Sequence, residues 1–130
     1  MKINWSPKYI PGDFVYDHND EVIRITSSYL QGTRLFWYSE GSSGWIREDA
    51  IKPIPLTPEI LEKNGWKAVD GKRLNYSSYE KVFISRERRP NIFMQNGKFY
   101  HDLFGKNRID FVHQLQHLLF GLDLDSNIKL

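Results

Sequence analysis

The sequence predicts an α+β fold for a chain of 130 residues. Short runs of β-branched and aromatic residues, separated by turn residues, occupy residues 12–54 and indicate an antiparallel sheet. A short helix with clear start and stop signals follows at residues 56–66. Two further strand-like runs then precede an amphipathic helix near the end of the sequence. We expect two lobes, residues 1–55 and 56–130, that share one core.

The strands predicted in the first lobe are short. They cover residues 14–16, 22–26, 34–38 and 45–47. The glycine- and serine-rich stretch 41–44 is predicted to turn the fourth strand back along the third. The second of these strands alternates only partly between apolar and polar side chains, as a strand that is covered on both faces would. Short strands that recur about every ten residues favour an SH3-like small β-barrel.

The helix at residues 56–66 has signals at both ends. Thr57 can cap its first turn, and Pro58 occupies the first helical position, where proline presets φ. Gly65 supplies the left-handed residue that commonly ends a helix, and Trp66 would then pack back on the last turn. We expect this helix to be a rigid joint between the two sheets.

The clearest turn signal in the second lobe is the pair Asn96 and Gly97. A turn of this kind sets the register of the hairpin, so Met94 opposes Phe99 and shares the core-facing side with Ile92. The side chains of the opposite face are expected to be mixed in character and partly exposed. They are Phe93, Gln95, Lys98 and Tyr100.

The last predicted element is an amphipathic helix over residues 108–122, capped by Asn107 or Asp110. Its apolar side chains recur with the helical period and fall on one stripe. They are Phe111, Val112, Leu115, Leu118, Leu119 and Leu122. We expect this stripe to be buried against the core-facing side of the hairpin, as part of an antiparallel sheet covered by a helix.

Composition excludes several functional classes. The sequence has no cysteine, so disulfides, thiolate metal sites and cysteine nucleophiles are ruled out. A hydrophobic content of 40% excludes a disordered chain, and no apolar run approaches the roughly 18 residues of a membrane-spanning helix. The first residues lack the apolar centre of a signal peptide. We therefore expect a soluble cytoplasmic protein that neither enters a membrane nor uses a cofactor.

Positive charge is concentrated in the middle of the chain. The whole sequence has a net charge of only +2, but residues 56–108 carry eleven basic and six acidic side chains. A basic loop in this segment could contact phosphates, although a solvated turn that protects a sheet edge explains the same run more simply. Nucleic-acid binding is therefore the alternative function. Its candidate residues are Lys72, Arg73, Arg86, Arg88 and Arg89.

Aromatic residues in the first lobe are the principal candidates for a binding site. Tyr16, Trp37, Tyr38 and Trp45 lie in the predicted strands, and SH3-like folds commonly bind peptides in aromatic grooves. Each ring could instead fill the small core, since aromatic side chains bury a large area. The hypothesis that follows is a non-enzymatic protein-interaction module that binds an unknown protein through these four residues.

Catalytic and metal-binding patterns are weak. His113 and His117 have the spacing of two metal ligands on one helix, and His101 or Asp102 could supply a third ligand. Gln114 occupies the position of the glutamate that the metalloprotease motif requires, and an amide cannot act as a general base. No phosphate-binding glycine motif or serine-nucleophile motif is present in the sequence. We expect neither a bound metal nor an enzymatic activity.

Two sequence blocks carry a resemblance to a known family. They are IKPIPLTPEILEKNGW at residues 51–66 and VHQLQHLLF at residues 112–120. The chain resembles a family of small uncharacterised proteins of Bacteroidetes-type gut bacteria and their phages, which share PIPLT-E-L-NGF and VHxLQxLxFxL blocks. Trp66 stands where that family has a smaller aromatic residue. The resemblance implies an accessory protein of a phage or mobile element, and it implies no catalytic residue.

Overall fold

The structure, a computed structural model, describes residues 8–40, 44–74, 79–101 and 107–130. These residues form an α+β fold with two four-stranded antiparallel sheets and two α-helices, so the predicted α+β class is confirmed. The chain divides into two compact units, Met1–Ile54 and Pro55–Leu130, which we call unit 1 and unit 2. Each unit carries one of the two sheets.

Unit 1 contains a four-stranded sheet in which each strand pairs with the next along the chain. Its strands are β1 (Phe14–Tyr16), β2 (Val22–Gln31), β3 (Arg34–Ser39) and β4 (Trp45–Arg47). A 3-10 turn, Glu48–Ala50, follows β4. Lys52 then returns to β1, where its backbone N–H and C=O exchange hydrogen bonds of 2.9 and 2.8 Å with Tyr16. This return curls the sheet into a half-barrel.

Strand β2 differs from its prediction in length and in burial. It extends to Gln31 rather than ending at residue 26, and its pairing with β3 is irregular between Ile25 and Ser27. Ile25 is fully buried, whereas Val22 is 49% exposed and Arg24 is also exposed. The expectation of a strand covered on both faces is therefore wrong, because only one face of β2 contacts the core.

The core of unit 1 lies on one side of its sheet. The fully or nearly fully buried members are Tyr9, Val15, Ile25, Trp37 and Ile51. Burial, together with the nearby carboxylates of Glu48 and Asp13, raises the pKa of Tyr9 to about 12, so its phenol stays neutral in the folded chain.

Unit 2 combines its sheet with both helices, and the strands again pair in chain order. Its elements are α1 (Pro58–Lys63), β5 (Trp66–Asp70), β6 (Lys81–Ser85), β7 (Ile92–Gln95), β8 (Lys98–Tyr100) and α2 (Val112–Gly121). Two residues separate the end of α1 from the start of β5, and a 3-10 turn, Gly71–Leu74, follows β5. The sequence pattern does not predict β5, because the residues after Trp66 mix charged and small side chains.

Helix α1 has the predicted caps. The Oγ1 atom of Thr57 accepts a hydrogen bond of 3.2 Å from the N–H of Ile60, and Pro58 is the first helical residue. Gly65 ends the helix with φ +92°, in the left-handed region. The side chains of Leu61 and Trp66 are fully or nearly fully buried, so α1 and the start of β5 contribute to the core of unit 2.

The β7–β8 hairpin has the predicted register. Met94 pairs with Phe99 across the turn, and Ile92 and Phe99 are buried as expected. The other face differs from the prediction, because Phe93 is only 4% exposed. The side chain of Phe93 belongs to a buried cluster of unit 2. The cluster contains Tyr79, Val82 and Phe93, with Leu74, Ile84 and Tyr100 packed against it.

Helix α2 begins later than predicted, at Val112. The side chain of Gln114 caps its first turn, since Oε1 accepts hydrogen bonds from the N–H groups of Asp110 at 2.7 Å and Phe111 at 3.1 Å. Neither predicted cap residue has this role. The buried stripe is also rotated from the predicted one, and Leu122 is 51% exposed because the helix ends before it. The buried residues of α2 are Val112, His113, Leu115, Gln116 and Leu119.

We expect Gly65→Ala to destabilise the chain. A Cβ atom at this position would lie 2.8 Å from Nη2 of Arg89, and φ is +92°. The left-handed conformation alone costs a non-glycine residue about 1–2 kcal/mol. Urea unfolding should show the loss, whereas the control Gly121→Ala should be neutral or stabilising, because a Cβ there meets nothing within 4 Å. Equal stability of Gly65→Ala and wild type would contradict the proposed role of Gly65.

We expect Asp17 to make unit 1 sensitive to acid. Its Oδ1 atom accepts hydrogen bonds from the N–H of Glu21 at 3.0 Å and of Asn19 at 2.8 Å. The bond from Glu21 is the main cause that lowers the pKa of this carboxyl. A lowered pKa in the folded state means that the stabilisation is complete above the unfolded pKa of about 3.9 and disappears as pH falls through the folded value.

The measurement is unfolding by urea at a series of pH values, from neutral down to below about 4, for wild type, Asp17→Asn and Asp17→Ala. Both variants should be less stable than wild type at neutral pH, and the difference should shrink as pH falls below about 4. Asp17→Asn keeps an acceptor oxygen and should be the more stable variant. A stability difference that is independent of pH would show that the ionisation of Asp17 does not contribute.

Candidate functional site

The outer face of the unit 1 sheet carries a continuous group of aromatic rings. In the strand register Tyr29 is opposite Phe36, and Tyr38 is opposite Trp45. Residues that are directly opposite share a face, and so do residues two apart on one strand. All four side chains therefore project from the same side of the sheet, and we call this group the aromatic face.

The rings of the aromatic face contact one another across three strands. Tyr29 stacks on Phe36 with a centroid distance of 5.2 Å and an interplanar angle of 15°. Trp45 meets Tyr29 edge to face with a centroid distance of 4.6 Å, and it packs against Tyr38 in a tilted arrangement at 5.3 Å. Centroid distances in this range are favourable for aromatic pairs. The rings thus support each other and form one surface rather than separate side chains.

This aromatic group is open to solvent. Tyr29 is 39% exposed, Tyr38 36% and Trp45 46%, while Phe36 is half-buried. Large aromatic side chains that touch and remain exposed are typical of binding surfaces, where tyrosine and tryptophan are enriched. The aromatic face is therefore the best candidate site in unit 1.

The four aromatic residues predicted as a binding site do not lie together. Tyr38 and Trp45 belong to the aromatic face. The prediction of Trp37 as a binding residue is corrected by its position, because it lies in the core with 2% exposure. Its Nε1 donates a hydrogen bond to Oε1 of Glu48 at 3.4 Å. Tyr16 is half-buried and pairs with Val22 at the other end of β2.

Tyr29 and Phe36 are members of the aromatic face that the sequence analysis missed. Tyr29 lies beyond residue 26, where the predicted strand ended, so it was not placed in the sheet. Phe36 could have been found from its position two residues before Tyr38, since alternate residues of a strand share a face. That periodicity also places Tyr38 and Trp37 on opposite faces of the sheet, but it does not identify the buried face.

Charged groups border the aromatic face and are partly neutralised. Arg47 is opposite Phe36 in the sheet, and its Nη2 lies 2.6 Å from Oδ2 of Asp49. On the other side, a hollow of about 530 Å³ adjoins Tyr38. It is lined by Pro11, Gly12, Arg24, Thr26, Tyr38 and Glu40. The surface therefore offers aromatic contacts with an adjacent polar hollow.

The basic residues predicted to bind nucleic acid lie in two separate places. Lys72 and Arg73 lie in the 3-10 turn after β5, next to the end where Asp70 pairs with Lys81. The loop 86–89 follows Ser85, which pairs with Trp66 at the opposite end of the same ladder. The two ends are about 13 Å apart along the strand. The structure therefore does not bring the five residues into one patch.

The predicted role of Arg89 in nucleic-acid binding is also corrected, because its side chain contacts other residues of unit 2. The guanidinium carbon lies 3.7 Å from the centroid of the Trp66 ring. Nε donates to Oγ of Ser85 at 2.9 Å, and Nη2 donates to the backbone C=O of Asn64. The side chain is only 11% exposed, and this burial lowers its pKa. Arg86 and Arg88 are exposed.

The histidine pair of α2 lacks the rest of a metal site in the described residues. The rings of His113 and His117 meet edge to face with centroids 5.5 Å apart. His113 is buried, and its ring also stacks on Phe111. No group of three or more potential ligands occurs within the described residues. Asp102, the other predicted ligand, lies outside them.

A polar cavity of about 540 Å³ lies in unit 2, near the end of α1. Side chains of both charge signs line it, including Lys63, Glu87, Asp125 and Lys129. The segment after α2 forms part of its wall and is tied to α1. There the Asn64 side chain exchanges hydrogen bonds of 2.8 and 2.7 Å with the backbone of Lys129.

Comparisons with protein-family models, with curated proteins and with solved structures find no match. Within the part of the chain that the structure describes, neither helix has the length and apolar character needed to cross a membrane.

We expect Arg89→Ala to lower the free energy of unfolding by about 2–4 kcal/mol. The substitution removes the contact with Trp66 and leaves the C=O of Asn64 without its charged donor. The matched control Arg86→Ala changes an exposed residue of the same loop and should stay within about 0.5 kcal/mol of wild type. Urea unfolding of the three proteins tests this. Similar small losses in both variants would contradict the structural role of Arg89.

Proposed function

We propose that this chain is a non-enzymatic protein-interaction module whose contact surface is the aromatic face of unit 1. The single observation that carries the proposal is the mutual contact of Tyr29, Phe36, Tyr38 and Trp45 on an exposed sheet surface. Rings that are held by their neighbours lose little conformational freedom on binding. Such rings are also the side chains that most often dominate the energy of an interface.

The fold of unit 1 supports a finer proposal, that it is an SH3-like barrel. Its short strands pair in chain order, and after the 3-10 turn Glu48–Ala50 the chain returns to pair with β1. Such closure protects the edge of β1 from unwanted pairing. Since one small-barrel fold serves many functions, the fold adds nothing about the partner. The family resemblance supports the further proposal of an accessory protein of a phage or mobile element.

A protein partner is favoured over nucleic acid by the distribution of charge. Phosphate binding needs several unneutralised basic groups within one footprint. At the aromatic face Arg47 is paired with Asp49, and in unit 2 Arg89 is engaged by Trp66 and Asn64. Nucleic-acid binding through the exposed Arg86 and Arg88, with Lys72 and Arg73 at the other end of the ladder, stays the alternative proposal.

The test is selection of a random-peptide library against the full chain, followed by titration of the enriched peptides. We expect Trp45→Ala to weaken binding by about tenfold or more, because truncation of a central interface aromatic costs about 2 kcal/mol. The matched control is Phe120→Ala, which removes an aromatic residue that is 67% exposed on α2, outside the aromatic face. Thermal unfolding of both variants verifies that they remain folded.

Two outcomes would contradict the proposal. One is that no peptide is enriched, and the other is that enriched peptides bind Trp45→Ala and wild type equally. A parallel titration with single-stranded and duplex oligonucleotides tests the alternative. Nucleic-acid binding would appear as an affinity that falls steeply with salt and is reduced in the double variant Arg86→Ala/Arg88→Ala.

A further inference from the structure

Strand β2 has a paired half and an open half on the side that faces β1. Strand β1 covers β2 only from Val22 to Arg24. The backbone of Ile25 is also bonded on this side, to Gly12 at 2.7 Å and to Asp13 at 3.0 Å. Beyond this point, residues 27–31 pair only with β3 among the described residues, and residues 26–31 are all exposed. They form a free sheet edge, which we call the β2 edge.

The hairpin register identifies the backbone groups that point out of this edge. Gln31 pairs with Arg34 across a two-residue turn in which Gly32 has φ +63°, as the first position of a type II′ turn requires. The residues that close such a turn are hydrogen-bonded to each other, and bonded and non-bonded pairs alternate along an antiparallel ladder. The N–H and C=O groups of Ser28 and Leu30 therefore point away from β3.

These groups make the β2 edge a template for another strand. Among the described residues, Ser28 and Leu30 have no pairing partner other than β3, so two donors and two acceptors are available along the edge. Such rows of backbone groups bind extended peptides by strand addition. The edge is also adjacent to the aromatic face, since Tyr29 belongs to both.

We propose that the β2 edge binds an extended segment of a partner protein as an additional antiparallel strand. This inference rests on the proposed function and specifies how the partner is held. The added strand would place alternate side chains beside Tyr29 on the outer face and beside Leu30, which is 48% exposed, on the other face. Both contacts favour β-branched or aromatic residues at the centre of the segment.

The charges at the two ends of the β2 edge select acidic residues at the ends of the segment. Arg24 precedes the open half of the strand, and its ion pair with Glu40 is long, at 3.8 Å, and exposed to solvent. Arg34 lies beside the turn at the other end, is exposed and forms no ion pair among the described residues. Opposite charges at the two ends of the bound strand would complement both arginines.

The same charges disfavour a second copy of this chain as the occupant. Two antiparallel β2 edges centred near Tyr29 would bring Arg24 of one copy toward the turn that carries Arg34 of the other. Like charges brought together at an interface oppose its formation. A segment with an uncharged, β-branched centre and acidic ends avoids this repulsion and is the occupant that the edge fits.

The test uses a synthetic peptide of alternating valine and tyrosine with aspartate and glutamate at both ends, added to the full chain. Amide hydrogen exchange is followed by NMR. In the free protein the amides of Ser28 and Leu30 should exchange faster than those of Tyr29 and Gln31, which are bonded to β3. A saturating amount of peptide should slow exchange at Ser28 and Leu30 by about tenfold or more and leave the two internal controls unchanged.

Modified peptides sharpen the experiment. N-methylation of the peptide residues that donate to the edge should weaken binding by about tenfold, whereas N-methylation of the residues between them should not. A peptide with lysine at both ends should bind more weakly than the acidic one, and the variant Arg34→Ala should reduce that difference.

The outcomes separate this inference from the proposed function. Absence of binding by the acidic peptide overturns the inference, as does binding that leaves exchange at Ser28 and Leu30 unchanged. Protection of these amides that rises with protein concentration alone would identify a second copy as the occupant and also overturn it. In each case the library selection and the Trp45→Ala variant decide the proposed function separately.

Discussion

Burial of Trp37 sets the arrangement of the whole unit 1 surface. Successive side chains of a strand point to opposite faces, so a buried indole at this position obliges Phe36 and Tyr38 to project outward. A shift of one residue would expose Trp37 and turn Phe36 and Tyr38 inward, because every side chain of the strand would change faces. The aromatic face is thus a consequence of the core beneath it.

An analogous dependence exists in unit 2, where a basic residue is part of the interior framework. Arg89 lies on the ring of Trp66 and donates a hydrogen bond to the C=O of Asn64, the residue that caps the end of α1. The positive charge near the carboxyl end of that helix is favourable, because the unbonded carbonyls there carry partial negative charge. The net charge of the sequence therefore overstates how many basic groups in the loop 86–89 are available to bind an external anion.

The proposed site combines two kinds of recognition that differ physically. Ring contacts on the aromatic face depend on buried apolar area and tolerate many partner sequences. Backbone bonds at the β2 edge impose direction and register on a partner, while the side-chain alternation of the bound strand adds preference for residue type. The two lie together because Tyr29 is a member of both. A surface of this type can be selective for an extended segment without a deep pocket.

Features that depend only on neighbouring residues are readable from the amino-acid sequence. The fold class, the caps of α1 and the register of the β7–β8 hairpin follow from local turn and capping chemistry, which acts within a few residues. Three other features depend on packing between residues that are distant in the chain, so they emerge only in the folded protein. They are the length of β2, the strand β5 and the inward direction of Trp37. Whether an aromatic ring or an arginine is exposed depends on which distant groups come to cover it, and no local pattern specifies that.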